Sequence, residues 1–202
     1  MNTVCKILDI DIYLITYLDF KTICNLLMIS KTQYSVMFTF DFINELYLLK
    51  QKYAVTIFNI IDLAAQYNYL SLIKQIDRSS SKFYYTVNAI DMASAKEYID
   101  ILDWFDKSNH EFKYTTYAIN AAAMNNSLKT LQWFHESKYD FNYTYTAIDM
   151  AAAYGFVSVL EWFKKSGYRL RYTWEARRLG NKNINTWLDE YEQDMKKKYK
   201  GL

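Results

Sequence analysis

The chain repeats itself every 29 residues, and this repeat constrains the fold more than any other feature. A Tyr-Thr pair begins four successive units, at Tyr85, Tyr114, Tyr143 and Tyr172. A Trp-Phe pair recurs in three of them, at residues 104–105, 133–134 and 162–163. One unit of this length is too small to bury its aromatic side chains, whereas stacked units share a continuous core. The repeat therefore predicts a solenoid in which each unit contacts its neighbours.

Within one unit, two apolar stripes with helical spacing are separated by a short break. Ile148, Ala151 and Ala152 have the spacing of a short first helix. The stripe of a second helix consists of Val159, Leu160, Trp162 and Phe163. Alanine is small and favours helices, so the first helices of neighbouring units can approach closely. We predict an all-α fold, a solenoid of short helical hairpins with a 29-residue period, preceded by a small three-helix N-terminal segment.

The register of the repeat also gives the domain boundaries. Residues 1–50 do not repeat, and residues 51–202 form the predicted array. Its units lie near residues 55–83, 84–112, 113–141 and 142–170, followed by a terminal cap at 171–202. The first unit is degenerate. The last begins in register at Trp174 and loses residues before Trp187, which predicts a shortened cap.

The unit resembles the ankyrin repeat over about residues 55–190. The stretch "TAIDMAAAYGFVSVLEWFKKSG" (146–167) follows the ankyrin pattern, with Ala147 at its proline position and Asp149 at its histidine position. The ankyrin period is about 33 residues, and the residues missing here come from the stretch after Gly167. In ankyrin repeats that stretch forms a projecting β-hairpin finger. The resemblance implies a protein-binding surface without catalytic activity, and the spacing predicts short connectors.

The non-repeating N-terminal segment has a different pattern. The run "ITYLDFKTICNLLMISK" (15–31) resembles the F-box, although the chain contains no proline and lacks the tryptophan expected after Lys31. This resemblance implies docking onto the Skp-type adaptor of a cullin-based ubiquitin ligase. The adaptor-binding residues that it implies are Ile10, Leu14, Leu18, Ile23, Leu26 and Ile29. Alternatively, these helices are only a cap over the end of the array, as terminal units of repeat arrays must be.

Composition and architecture indicate the setting in which the protein acts. The combination of an F-box-like segment with short, Tyr- and Asn-rich repeats resembles proteins of giant viruses. A net charge of +2 gives no field that would concentrate nucleic acid or lipid, so we expect neither a specific nucleic-acid partner nor a membrane. The start of the chain lacks a secretory pattern, and Cys5 and Cys24 form no disulfide framework. We expect a monomer in the cytoplasm or nucleus, of the host cell if the protein is viral.

Candidate reactive residues receive structural interpretations. His110 and His135 have no partner at the spacing of a metal site or catalytic triad, which predicts surface histidines. Asp62, Asp91 and Asp149, with Asn120 at the equivalent place, are expected to interact with helix dipoles and to tie adjacent connectors together. The Tyr-Thr pairs are expected to pack on the hairpin and to begin the first helix. We therefore predict no enzyme, no cofactor and no metal.

Residues that change from unit to unit are the candidates for binding. They lie at the ends of the first helices and in the connectors, positions that line one concave side in ankyrin-like stacks. The predicted target-binding residues are Tyr67, Lys96, His110, Glu111, Asn125, Tyr139, Asp140, Tyr154, Tyr168 and Arg169. With the F-box-like segment they predict an adaptor that recruits a substrate to a ubiquitin ligase. The alternative is a non-catalytic scaffold or host-factor-binding solenoid whose N-terminal helices are only a cap.

Overall fold

A computed structural model describes residues 60–79 and 83–200. These residues form ten helices and no strand. The helices are α1 (Ile60–Gln66), α2 (Leu70–Ser79), α3 (Val87–Ala95), α4 (Ile99–Lys107), α5 (Thr116–Met124), α6 (Leu128–Glu136), α7 (Tyr145–Ala153), α8 (Val157–Lys165), α9 (Trp174–Leu179) and α10 (Lys182–Lys200). The N-terminal segment and its six predicted adaptor-binding residues lie outside the described residues.

The chain divides after Ala89 into two compact units. In the first unit, α1 and α2 form a hairpin in the predicted degenerate repeat. Its buried apolar residues are Ile61, Ala64, Ala65, Ile73 and Ile76. The helical periodicity of the first predicted repeat is therefore realised, although it lacks the Trp-Phe pair.

The second unit, Ile90–Leu202, is a stack of helical hairpins of the predicted kind. The first helices α5, α7 and α9 pack directly against one another, and α4, α6 and α8 form the neighbouring row of second helices. Ala118, Ala122, Ala147 and Ala151 are fully buried between them. Because alanine ends at Cβ, the backbones of adjacent first helices come close. The predicted alanine stripe is thus confirmed as the contact between repeats.

The two residues of the Trp-Phe pair have different roles. Phe105, Phe134 and Phe163 are at most 1% exposed and fill the core between repeats. The tryptophans, which belong to the same predicted apolar stripe of the second helix, are only half-buried and contribute less to this core. Their indole nitrogens instead donate to the preceding repeat: Trp133 Nε1 donates to Asp103 at 2.7 Å, and Trp162 Nε1 donates to Gln132 at 3.0 Å.

Short connectors and tight turns join the helices of the second unit. Each connector after a second helix runs to a threonine that caps the next first helix, as predicted. In the turns between paired helices the chain adopts left-handed backbone angles, with φ of 58° at Glu97, 57° at Asn126 and 76° at Gly155. This conformation favours glycine and asparagine. The predicted short break between the two helices of a unit is therefore a tight turn, at residues 125–127 and 154–156 of the last two full hairpins.

The terminal cap differs from the prediction. Its first helix, α9, has only 6 residues instead of the 9 of α7, and in this respect the cap is shortened. Its second helix, α10, has 19 residues, so the cap as a whole is not short. Leu188, fully buried, occupies the place of Phe163 in the preceding repeat. The close turn requires Gly180, because an added Cβ would lie 2.5 Å from the Ala176 carbonyl oxygen.

Candidate protein-binding surface

A side-chain link joins each first helix to the start of the next one. The Asp91 carboxylate accepts hydrogen bonds from the Thr115 backbone N–H at 2.9 Å and from its hydroxyl at 2.7 Å. Asp149 binds Thr173 in the same way, at 2.8 and 2.7 Å, and in the first unit Asp62 binds Thr86. The threonine hydroxyls also accept from the backbone N–H two residues on and so cap the helix. The predicted hydrogen bonds are present, but each joins the inside of a first helix to the capping threonine of the next one, and not one connector to another.

The predicted helix-dipole role is wrong for Asp91 and Asp149. Both are the fifth residues of their helices, α3 and α7, which have no acidic residue in the first turn, and the dipole effect fades beyond that turn. Asp62 holds the equivalent repeat position, 29 residues before Asp91. Burial raises the pKa of Asp62 and Asp91, although hydrogen bonds from threonine oppose that rise. Asn120 makes the same link without a charge, accepting from the Thr144 N–H and donating to its hydroxyl oxygen.

Stacked aromatic rings hold the connectors. Phe112, in the connector at 108–115, stacks on two rings of the next repeat, with centroid distances of 4.0 Å to Tyr139 and 5.4 Å to Trp133. The next repeat reproduces this arrangement with Phe141 and Tyr168, whose ring centroids are 4.1 Å apart. One repeat before Tyr139, the equivalent position is occupied by His110, whose ring centroid lies 5.9 Å from that of Trp104.

Two of the predicted target-binding residues belong to these stacks. Tyr139 and Tyr168 are half-buried, and their hydroxyls are already engaged. The Tyr139 hydroxyl donates to Asp106 at 3.0 Å, and that of Tyr168 lies 3.1 Å from His135 Nδ1. Burial is the main cause that raises the pKa of both phenols. The principal structural role of these two side chains is to hold the connector in place.

The tips of the connectors present exposed charges on a fixed backbone. The Tyr114 hydroxyl donates to the Asp140 carbonyl at 2.8 Å, and the Tyr143 hydroxyl donates to the Arg169 carbonyl. The side chains of Glu111, Asp140 and Arg169 are exposed. The recurring tyrosines therefore pack on the hairpin that follows them, as predicted, and fix the backbone from which the predicted binding residues extend.

The other predicted residues of the second unit lie at the opposite end of the hairpins. Lys96, Asn125 and Tyr154 follow the first helices, whereas the connectors precede them, and about 13 Å of helix separates the two ends. The two predicted sets therefore lie at opposite ends of the first helices, and that they line one concave side stays a prediction. The Asn125 side chain also donates to the Ala95 carbonyl at 2.9 Å. Tyr154 is 60% exposed. Tyr67, at the corresponding turn of the first unit, is half-buried.

An exposed row of rings lies at the start of the first helices, and sequence reasoning missed it. Tyr117, Tyr145 and Trp174 are 43%, 57% and 67% exposed, and they belong to α5, α7 and α9, which pack side by side. We call these three residues the aromatic row. Tyr145 and Trp174 each follow a capping threonine directly, at a position held by Thr116 one repeat earlier. The sequence therefore contained a sign of this row, because the position directly after the capping threonine varies between units and is aromatic in the last two.

His135, one of the two predicted surface histidines, lies near the end of α6. His135 is exposed, beside Trp162 and Tyr168. Among residues 60–79 and 83–200, no group of three His, Cys, Asp or Glu side chains is arranged to hold a metal ion. No helix within this part of the chain has both the length and the apolar character needed to span a bilayer.

Comparison with known proteins identifies part of the array. Residues 119–163 match the family model described as ankyrin repeats (many copies). This span begins inside α5, contains all of α6 and α7, and ends inside α8. It therefore covers most of two successive hairpins of the second unit. Asn120 and Tyr145 lie inside the matched span, and Tyr117 lies just before it. No curated protein and no solved structure matches the chain.

Proposed function

We propose that this ankyrin-like repeat protein recruits a target protein through the aromatic row and the exposed connector residues beside it. Ankyrin repeats are modules of protein–protein interaction and are typically non-catalytic, so the function of the chain resides in what it binds. The observation that carries the proposal is the exposure of Tyr117, Tyr145 and Trp174 on three adjacent helices. Aromatic residues are enriched in interface cores, and a large exposed ring on each of three packed helices is typical of an interaction site.

The rigidity of the underlying scaffold supports this assignment. The row begins next to the capping threonines, and Thr144 and Thr173 are tied to the preceding repeat by Asn120 and Asp149. A partner that binds the row therefore meets rings whose backbone is already ordered. Less conformational entropy is lost on binding when the site is preorganised.

For the N-terminal segment we propose docking onto the Skp-type adaptor of a cullin-based ubiquitin ligase in the cytoplasm or nucleus. The F-box-like pattern of residues 15–31 supports this step. The protein would then place the target bound to its repeats near the ligase. Under the alternative function, the repeats bind the same target and act by occupancy alone.

Affinity capture from cell lysate with the full chain tests both halves. The double variant Leu14→Asp, Leu18→Asp should lose the Skp-type adaptor and cullin while still recovering the target. Trp174→Ala with Tyr145→Ala should lose the target and keep the adaptor. A known F-box protein captured in parallel shows that the adaptor is recoverable from the lysate.

The outcomes separate the two halves of the proposal. Recovery of a target without the adaptor, while the control F-box protein recovers it, overturns the ligase role and favours the scaffold. A target that is retained after loss of both rings overturns the aromatic row as the binding site. Circular dichroism of each variant should match the wild-type helix content, since the two rings are exposed.

A further inference from the structure

The aromatic row is not uniform along the stack. Exposure rises from 43% at Tyr117 to 57% at Tyr145 and 67% at Trp174, so the largest accessible ring lies at the C-terminal end of the array. The adjacent first helices α7 and α9 place Tyr145 and Trp174 about 8–10 Å apart at the level of their axes. The two rings therefore lie on neighbouring helices, within reach of one segment of a partner.

The charges of the connectors change along the same direction. In the connector at 108–115, Glu111 pairs with Lys113 at 3.6 Å, and the connector at 137–144 carries one lysine and one aspartate. The connector at 166–173, which leads into Trp174, carries only the basic residues Arg169 and Arg171. Both are exposed. The most exposed ring of the aromatic row therefore lies beside the one connector of the second unit that carries only basic charges.

Helix α9 adds a third guanidinium to this end of the row. Arg178 lies over the Trp174 ring, 5.2 Å from its centroid, and its side chain remains 54% exposed although it pairs with Glu175. Its neighbour Arg177 differs, because its guanidinium bonds Asp189 and Glu192 on α10 at 2.8 Å each. Arg177 thus belongs to the cap, whereas Arg178, whose Nε and Nη2 both donate to Glu175, offers its Nη1 to a ligand at Trp174.

We infer that the target of the repeats presents an acidic peptide segment with an aromatic or aliphatic anchor, bound at Tyr145, Trp174, Arg169, Arg171 and Arg178. This inference rests on the proposed function and specifies the chemistry of its partner. The anchor packs against the two rings, and flanking carboxylates of the segment bind the guanidinium groups. Arginine recognises carboxylates through paired hydrogen bonds, which gives orientation as well as affinity.

Selection from a phage-displayed library of random peptides on the full-length protein tests this chemistry. Enriched peptides should be net acidic and contain an aromatic or large aliphatic residue, and a synthetic copy should bind in a fluorescence anisotropy titration. Trp174→Ala should weaken that binding by about tenfold or more, the effect of an interface anchor. The double variant Arg169→Glu, Arg171→Glu should weaken it at least as much.

A matched variant controls for the overall charge. Lys197→Glu with Lys198→Glu makes the same charge change at exposed positions near the end of α10 and should leave the dissociation constant within about twofold of wild type. A single-stranded oligonucleotide forms a second arm of the titration, since aromatic and basic side chains together can also stack bases. It should bind more weakly than the acidic peptide.

Each other result overturns the inference. Neutral or basic enriched peptides, no enrichment at all, tighter binding of the oligonucleotide, or equal losses in the two charge-reversed variants all contradict an acidic segment at this site. The proposed function fails separately. If affinity capture still recovers a target that depends on Trp174 but tolerates Arg169→Glu and Arg171→Glu, the row binds a protein and the acidic chemistry is wrong.

Discussion

The connector end and the turn end of the hairpins in the second unit hold neighbouring repeats together in different ways. At the connector end, Phe112 and Tyr139 stack with ring centroids 4.0 Å apart beside the buried Phe134. At the turn end the bonds are polar, and the Ala95 carbonyl accepts from Asn125 at 2.9 Å and from Ser127 at 3.3 Å. Burial of apolar area is worth more than a net hydrogen bond. We therefore expect the connector end to dominate the coupling between repeats.

The difference also explains where variation is tolerated. At the turn end the polar bonds go mainly to backbone carbonyls, which every residue type supplies, so the side chains there can change between repeats. At the connector end the core position recurs as phenylalanine and the stacking position as histidine or tyrosine, all of them rings, whereas the exposed tips and the column after the capping threonine vary more widely. Tyr145 and Trp174 therefore extend from a packing unit whose rings recur.

The largest expected effect comes from removing the core ring of the connector end. Phe134 is 1% exposed and contacts Phe112, Tyr114 and Trp133. Phe134→Ala should lower the free energy of unfolding by about 3–5 kcal/mol, the usual cost of truncating a buried aromatic residue. Urea unfolding followed by circular dichroism measures it. A loss below that of Trp133→Ala, which removes a half-buried ring, would contradict the assignment of the core to Phe.

The second prediction concerns the ring stack of the connector itself. Phe112→Leu keeps an apolar side chain but removes the stacking on Tyr139 and Trp133. Each aromatic pair contributes about 0.5–1.5 kcal/mol beyond buried area, so the variant should lose about 1–3 kcal/mol in the same urea experiment. Tyr139→Phe is the matched control, because it keeps the ring and loses only the hydrogen bond to Asp106. Similar losses in the two variants would show that the hydroxyl, not the stack, holds the connector.

The third prediction tests the turn end on the same second helix. Thr130 is fully buried in α6, one turn before Phe134, and its hydroxyl donates to the Ser94 carbonyl at 3.1 Å. Thr130→Val preserves the shape and removes this hydrogen bond, so it should cost only about 1 kcal/mol. If it destabilises the protein as much as Phe134→Ala, the two ends contribute equally and the comparison fails.

Particular residues show how far the sequence could predict this arrangement. Ala118, Phe134 and Thr144 were predictable because their roles depend on helical period, size and capping, which are local properties. The partial burial of Trp133 was not predictable, because it depends on the hydrogen bond that its indole N–H donates to Asp103 of the preceding repeat. Tyr139 and Trp174 both occupy variable positions. Phe112 stacks on Tyr139, whereas Trp174 is exposed at the start of α9. This difference follows from contacts between residues far apart in the sequence.

The smallest expected effect concerns the charge of the link between repeats, for which the chain provides its own reference in Asn120. Burial raises the pKa of Asp91, so the folded protein binds this proton more tightly than the unfolded chain does. Stability contributed by Asp91 therefore falls as the pH rises above the ordinary value of 3.8 through the raised pKa. Asp91→Asn removes this dependence and can keep the link, because Asn120 makes it with Thr144 at 2.9 and 3.0 Å.

Urea unfolding of the wild type and of Asp91→Asn across this pH range measures the effect. The free energy of unfolding of the variant, relative to that of the wild type, should rise with pH through the window above 3.8. Groups such as Glu192, whose pKa the Arg177 guanidinium lowers, titrate alike in both proteins and cancel in the difference. Asn120→Asp should produce the opposite trend. If the difference instead falls with pH, the Asp91 carboxylate is stabilised as the anion and its hydrogen bonds from Thr115 outweigh its burial.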